Sequence, residues 1–222
     1  MTPKCIILDY DGTLSNNETL DHDLLEAIKK TRSNGIRVVI ATGRPLDYFP
    51  KSLLEAVDGI CCEEGGVLLV GGTIKIQTNS YWAQFLGALE KSDVVFAKGD
   101  VLVIISQNSL DKIMLLKEYK REEIEIQPYK DLFFLTPKGV NKKSGVKKIL
   151  EELGINNGII VVGDELNDIP LMKWATCSIA VRNAKQEIKD IADIVLDEDD
   201  GEGIKKLLTM INFQSFSCPE NR

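Results

Sequence analysis

Apolar residues along this chain come in short unbroken runs, each ending in glycine or a polar turn. Cys5 to Leu8, Ile36 to Ala41, Gly59 to Cys62 and Ile159 to Val162 have the make-up of strands buried on both faces. Between the first two, Leu24, Ala27, Ile28 and Thr31 recur at helical spacing, and Asn34-Gly35 closes that stripe. Residues 46–57 predict another helix, and Val146, Ile149, Leu150 and Leu153 predict a third, with Gly154 as its terminator. Ser178 to Val181 and Ile194 to Leu196 supply two more strands. Strand and helix alternating in this way specify an α/β fold with a parallel sheet.

From about residue 66 to residue 137 the pattern changes to short antiparallel pieces. Val67 to Val70 and Thr73 to Gln77 flank Gly71-Gly72, a hairpin signal. Val94 to Phe96 pairs by pattern with Val101 to Ile105, and Ile124 to Gln127 with Leu132 to Leu135. Tyr81 to Lys91 and Leu110 to Tyr119 are the two amphipathic helices among them. The division this predicts is a core of residues 1–65 and 138–212, an insert of residues 66–137 and a loosely held tail of residues 213–222. Trp82 and the other aromatic residues of the insert are expected in its own core.

At 222 residues the chain can hold one large domain, or a core with a small insert. A net charge of −7 argues against a nucleic-acid or anionic-membrane surface. The same charge opposes a phosphorylated substrate at long range, so a phosphate site must reverse the sign locally. No run is long enough to span a membrane and no signal-peptide pattern opens the chain, so a cytoplasmic protein is expected. Cys5, Cys61, Cys62, Cys177 and Cys218 are scattered without CxxC spacing. Four of them fall in predicted strands, which reads as apolar filling, not as disulfide or zinc chemistry.

Chemistry enters at the strand ends. Asp9-Tyr10-Asp11-Gly12-Thr13 follows the first strand and places two carboxylates one residue apart, where ligands bind in open α/β sheets. Carboxylates this close need a proton or a cation between them. Thr42-Gly43-Arg44-Pro45 ends the second strand with a hydroxyl, exposed backbone N–H groups and a guanidinium, all suited to a phosphoryl group. Lys142-Lys143 opens the helix that follows the insert, where a positive charge joins the positive helix end. Gly163-Asp164-Glu165-Leu166-Asn167-Asp168 ends the fourth strand and can turn Asp164 and Asp168 toward one cation. Oxygen-only ligands suit Mg²⁺ and not zinc. His22 reads as a surface residue, and Asp197 to Glu202 as a solvated acidic loop.

These four stretches, in this order, resemble the motifs of the haloacid dehalogenase (HAD) superfamily: DxDGT[LV], the strand-end hydroxyl, the lysine and GDxxND. The TGR form of the second resembles the Cof-like branch (subfamily IIB), which includes archaeal phosphoglycolate phosphatases and sugar-phosphate phosphatases. The resemblance implies a Rossmann-like parallel sheet core with an inserted small α/β cap of the C2 type. It implies Asp9 as nucleophile and Asp11 as general acid/base. Thr42, Gly43, Arg44, Lys142 and Asn167 would bind substrate or phosphate, and the motif's register selects Lys142 over Lys143. Mg²⁺ would be held by Asp9, Asp11 (through its backbone carbonyl), Asp164 and Asp168. The chain departs from the pattern at Glu64-Gly65, where Cof-like proteins usually carry Asn-Gly. The implied partner is a small phosphorylated metabolite bound by a monomer or homodimer, with 2-phosphoglycolate as first choice. A sugar phosphate, or a phosphomutase reaction, is the alternative.

Overall fold

The structure is a computed structural model and describes residues 2–15 and 21–219. Among these residues the larger sheet has eight strands. Cys5–Asp9 (β1) lies at the centre, between Arg37–Ala41 (β2) and Ile159–Gly163 (β10), parallel to both. Cys177–Ala180 (β11) and Ile194–Val195 (β12) continue the sheet on one side, and Gly59–Cys62 (β3) on the other, all parallel. Such strands hydrogen-bond on both edges and lie under helices on both faces, so β1, β3, β10 and β11 are buried along their whole length. Helices His22–Ser33 (α1), Lys51–Ala56 (α2), Lys142–Glu152 (α5) and Asp200–Asn212 (α8), with the short Ile169–Met172 (α6) and Gln186–Lys189 (α7), supply the apolar faces that cover the sheet.

The hairpin of Val67–Val70 (β4) and Thr73–Ile76 (β5) corrects the expected division. The alternation predicts it in the insert, but β4 pairs antiparallel with β3 and extends the core sheet. Its pattern reads the same in either place; only the register against β3 decides. A separate four-stranded antiparallel sheet then follows. It contains Phe96–Lys98 (β6), Val103–Ser106 (β7), Ile124–Tyr129 (β8) and Leu132–Pro137 (β9), in the order β6-β7-β9-β8. Ser80–Leu89 (α3) and Gln107–Met114 (α4) pack on it around Trp82, Phe85 and Ile113. The buried Glu63 carboxylate fastens this unit to the core by accepting backbone N–H bonds from Asp100, Val101 and Leu102 at 2.8–3.0 Å.

Two helices are shorter than the periodicity predicts. Residues 46–57 are divided at Pro50 into a 3₁₀ turn, Leu46–Tyr48, and α2, because proline cannot donate a helical hydrogen bond. The second helix of the insert starts earlier, capped by Ser106, and stops at Met114. The acidic stretch at residues 197–202 is not all loop. Asp200 is buried and begins α8, and it bonds Asn183.

The reading of the cysteines fails at Cys177, which forms a disulfide with Cys218. Residues 213–219 fold back along the core, where Phe216 and Cys218 pack against it, so this part of the tail is held. Residues 220–222 of the expected tail lie outside the described residues. Nothing in the spacing signals the bond, since it joins a buried strand to a segment 41 residues away. Closing a loop of 41 residues should contribute about 3–4 kcal/mol. Cys218→Ser, or a reductant, should therefore lower the melting temperature by on the order of 10 °C. Equal melting curves with and without reductant would contradict the bond.

Candidate active site

The C-terminal ends of β1, β2 and β10 bring the sequence-predicted residues together at one edge of the sheet. Asp9 is the last residue of β1 and is 7% exposed. Asp164 and Asp168, from the turn after β10, approach it so that one carboxylate oxygen from each of the three lies within 4.8 Å of the others. Gly12 permits this. Its φ of +81° is left-handed, and a Cβ there would lie 2.4 Å from Asp164 Oδ2. Thr13 donates its hydroxyl hydrogen to Asp164 at 2.9 Å.

Lys142 opens α5, behind the Asn141 cap, and reaches this cluster from the opposite side. Its ammonium donates to Asp9 at 2.5 Å and to Asp168 at 2.8 Å, and it is 3% exposed. Lys143 is half-buried and makes no ion pair among the described residues. Burial pushes the Asp9 carboxyl well above the usual range, Lys142 opposes that shift, and Asp168 and Asp164 add to it. Asp164 is pushed up to about 7, by burial first and by Asp168 second. Three buried carboxylates and one ammonium leave a surplus of negative charge. That surplus, in an all-oxygen donor set, fits a small hard divalent cation such as Mg²⁺.

Asp11 stands apart. Its side chain is 37% exposed, outside the cluster, and Arg44 grips it with bonds of 2.7–3.1 Å. Arg44 in turn lies over the Tyr48 ring at 4.5 Å. The resemblance assigns Arg44 to phosphate, whereas here its guanidinium orients Asp11. Thr42 is buried, and its hydroxyl accepts from the Arg44 N–H at 3.0 Å, which shapes the turn containing Gly43.

The site opens into a cavity of about 420 Å³, at the small end for ligand pockets. Its roof is formed by Tyr129, Lys130, Leu132 and Phe134 of the second sheet. Tyr129 and Phe134 correct the expectation that the aromatic residues of the insert lie in its own core; strand alternation puts Phe134 on the face opposite Phe133. Glu64, at the departure from Asn-Gly, is 1% exposed with a strained φ of +54°. It accepts from Asn167 Nδ2 at 3.0 Å. The other oxygens of the pair, Glu64 Oε2 and Asn167 Oδ1, are buried without a hydrogen-bond partner among the described residues. The thiols of Cys5, Cys61 and Cys62 are pushed up by burial, which leaves them poor nucleophiles.

A sequence model described as haloacid dehalogenase-like hydrolase matches residues 6–77 and 75–208. The chain belongs to this family. Its HAD motifs are the four strand ends and helix starts described above, and membership makes it an enzyme of the HAD phosphatase type. Similar proteins include a phosphoglycolate phosphatase of Sulfurisphaera tokodaii, 30% identical over 93% of both chains. Another, of Archaeoglobus fulgidus, is 29% identical over 94% of this chain and 97% of that one. Among solved structures, Thermoplasma acidophilum 0175 superposes with a TM-score of 0.77 at 21% identity, covering 95% of this chain and 99% of that one. A sugar phosphatase of HAD subclass IIB superposes at 0.73 with 22% identity, covering 96% and 100%. At such identities the likeness is one of HAD fold. No helix among the described residues is long and apolar enough to cross a membrane.

Proposed function

We propose that this HAD hydrolase cleaves small phosphate monoesters with Mg²⁺, and that 2-phosphoglycolate is its first substrate. The observation that carries the reading is the contrast between Asp9 and Asp11. Two carboxylates one residue apart have been given opposite surroundings, which is how one site obtains a nucleophile and an acid/base from the same side chain. Asp9 is fixed against Lys142, deep in the cluster, and attacks phosphorus to give an aspartyl-phosphate. Asp11 lines the cavity with Arg44 holding its carboxylate, and once parted from Arg44 and protonated it gives its proton to the leaving alkoxide, then takes one from the water that hydrolyses the intermediate. Lys142, the Thr42 hydroxyl and the backbone at Gly43 offset charge on the phosphoryl oxygens. Asp9, Asp164, Asp168 and the Asp11 carbonyl would hold Mg²⁺, which when bound supplies further neutralisation of that charge.

The choice of 2-phosphoglycolate rests on the archaeal relatives named above and on the small roofed cavity. A sugar phosphate is the second reading, favoured by the acceptor oxygens of Glu64 and Asn167 that lack a partner among the described residues and that a substrate hydroxyl could bond.

Phosphate release from a panel of small monoesters tests the reading. Dialysis against EDTA should abolish turnover and Mg²⁺ restore it; full activity without metal would overturn the assignment. Binding can also be followed without turnover. The raised carboxyl groups disfavour the charged state of the metal-free fold, so its stability is highest where they are protonated and falls as pH rises toward about 7. Added Mg²⁺ should raise the melting temperature at pH 7.5, and by less at pH 5.5, where it must displace protons.

A further inference from the structure

The cavity has three cationic side chains in its lining, and two of them are committed. Lys142 is bonded to Asp9 and Asp168, and Arg44 to Asp11. The third, Lys130, makes no ion pair among the described residues. Of the carboxylates at the rim, Glu165 is already paired with Lys185 at 2.8 Å. Among the described residues, the one uncommitted charge in the roof of the cavity is therefore positive.

Its placement is specific. Lys130 begins the two-residue connection between β8 and β9 and has φ +53°, a conformation that suits glycine or asparagine better. The turn does not call for a lysine. The Nζ lies 5.2 Å from the centre of the Tyr129 ring, and that ring stacks on Phe134 at 4.5 Å. Phe134 in turn overhangs the phosphate turn, since a Cβ added to Gly43 would meet its ring at 3.3 Å. The Tyr129 hydroxyl is pushed up to about 12, by burial first and then by Asp11 and Asp9, so this wall stands close to the acid/base. An ester with its phosphate at Asp9 extends past Asp11 toward this roof, where apolar surface surrounds a single ammonium.

We propose that Lys130 is a specificity-determining residue that binds an anionic group, a carboxylate, on the leaving group of a small phosphate ester. The inference rests on the hydrolytic reading of the same site. It adds that the cap selects a second negative charge, which the excess of acidic residues below would otherwise repel.

The test compares 2-phosphoglycolate with ethyl phosphate, which has the same two-carbon chain without the carboxylate. The wild type should prefer 2-phosphoglycolate. Lys130→Met should lower kcat/KM for 2-phosphoglycolate at least tenfold, mainly through KM, and Lys130→Glu further. The loss on ethyl phosphate should be less than threefold, and Lys130→Arg should retain most of the preference. The preference should also weaken with added salt, as expected of an exposed charge pair. Equal losses on the two esters, no loss on either, or a wild type that hydrolyses only ethyl phosphate would overturn the proposal. A wild type inactive on every ester would instead sink the hydrolytic reading itself.

Discussion

Asp9→Asn should leave a folded protein with no measurable phosphate release, a loss of roughly 10⁴-fold or more. An amide has no oxygen able to attack phosphorus, and no other carboxylate can take its place. Asp164 and Asp168 reach the cluster from the turn after β10, and Asp11 is held away by Arg44. Stability should move the other way. Burial disfavours the charged form of Asp9 more than any other influence on it, and Asp164 and Asp168 repel it. A neutral side chain of the same shape removes that penalty, while Lys142 keeps its 2.8 Å bond to Asp168. The metal-free variant should therefore melt at or above the wild-type temperature at pH 7.5. Acid-quenched wild type should carry phosphate on Asp9, and the variant none. Asp11→Asn should cost less, roughly 10²- to 10⁴-fold, because the intermediate can still form with a poor leaving group. Wild-type rates in Asp9→Asn would place the nucleophile elsewhere, and an inactive variant that melts many degrees lower would point to misfolding.

The parallel sheet and the edge that gathers the candidate site were legible because local rules and the global fold agree there. Runs such as Cys5 to Leu8 and Ile159 to Val162 are too apolar to lie anywhere but between two helical layers, and they became adjacent strands. A strand buried along its length must shed its polar residues at its end, so Asp9, Thr42 and Asp164 mark the edge at which the site assembles. What the sequence left open depends on long-range partners. The β4–β5 hairpin has the same alternation in either sheet, and its place follows from pairing with β3. The tail looks detachable until Cys218 meets Cys177. The motif implies phosphate for Arg44, yet the carboxylate it grips is 33 residues away. Tyr129, Lys130 and Phe134 sit on a short hairpin with ordinary composition. Only the way that hairpin arches over the core makes them part of the site.

Lys142→Ala should lower kcat/KM by roughly 10²- to 10³-fold, the usual worth of a fixed donor to a charged transition state, while Lys143→Ala should change it by less than threefold. The two residues are adjacent on α5, but the helix turns their side chains in different directions. Lys142 runs inward to Asp9 and Asp168, with the Glu64 carboxylate 4.0 Å away. Its ammonium is the positive charge nearest the nucleophile, and it sets the direction of the Asp9 oxygen as well as facing the incoming phosphate. Removing it also strands buried carboxylates, which should destabilise the metal-free protein by roughly 3–5 kcal/mol. These two effects separate on adding Mg²⁺. The cation can offset part of the stranded charge and recover melting temperature, but it cannot replace a donor on the other side of Asp9, so the rate should stay low. Recovery of both together would mean that Lys142 serves only the fold. Equal losses for the two lysines, or a larger one for Lys143, would mean that phosphate meets this helix through a different residue.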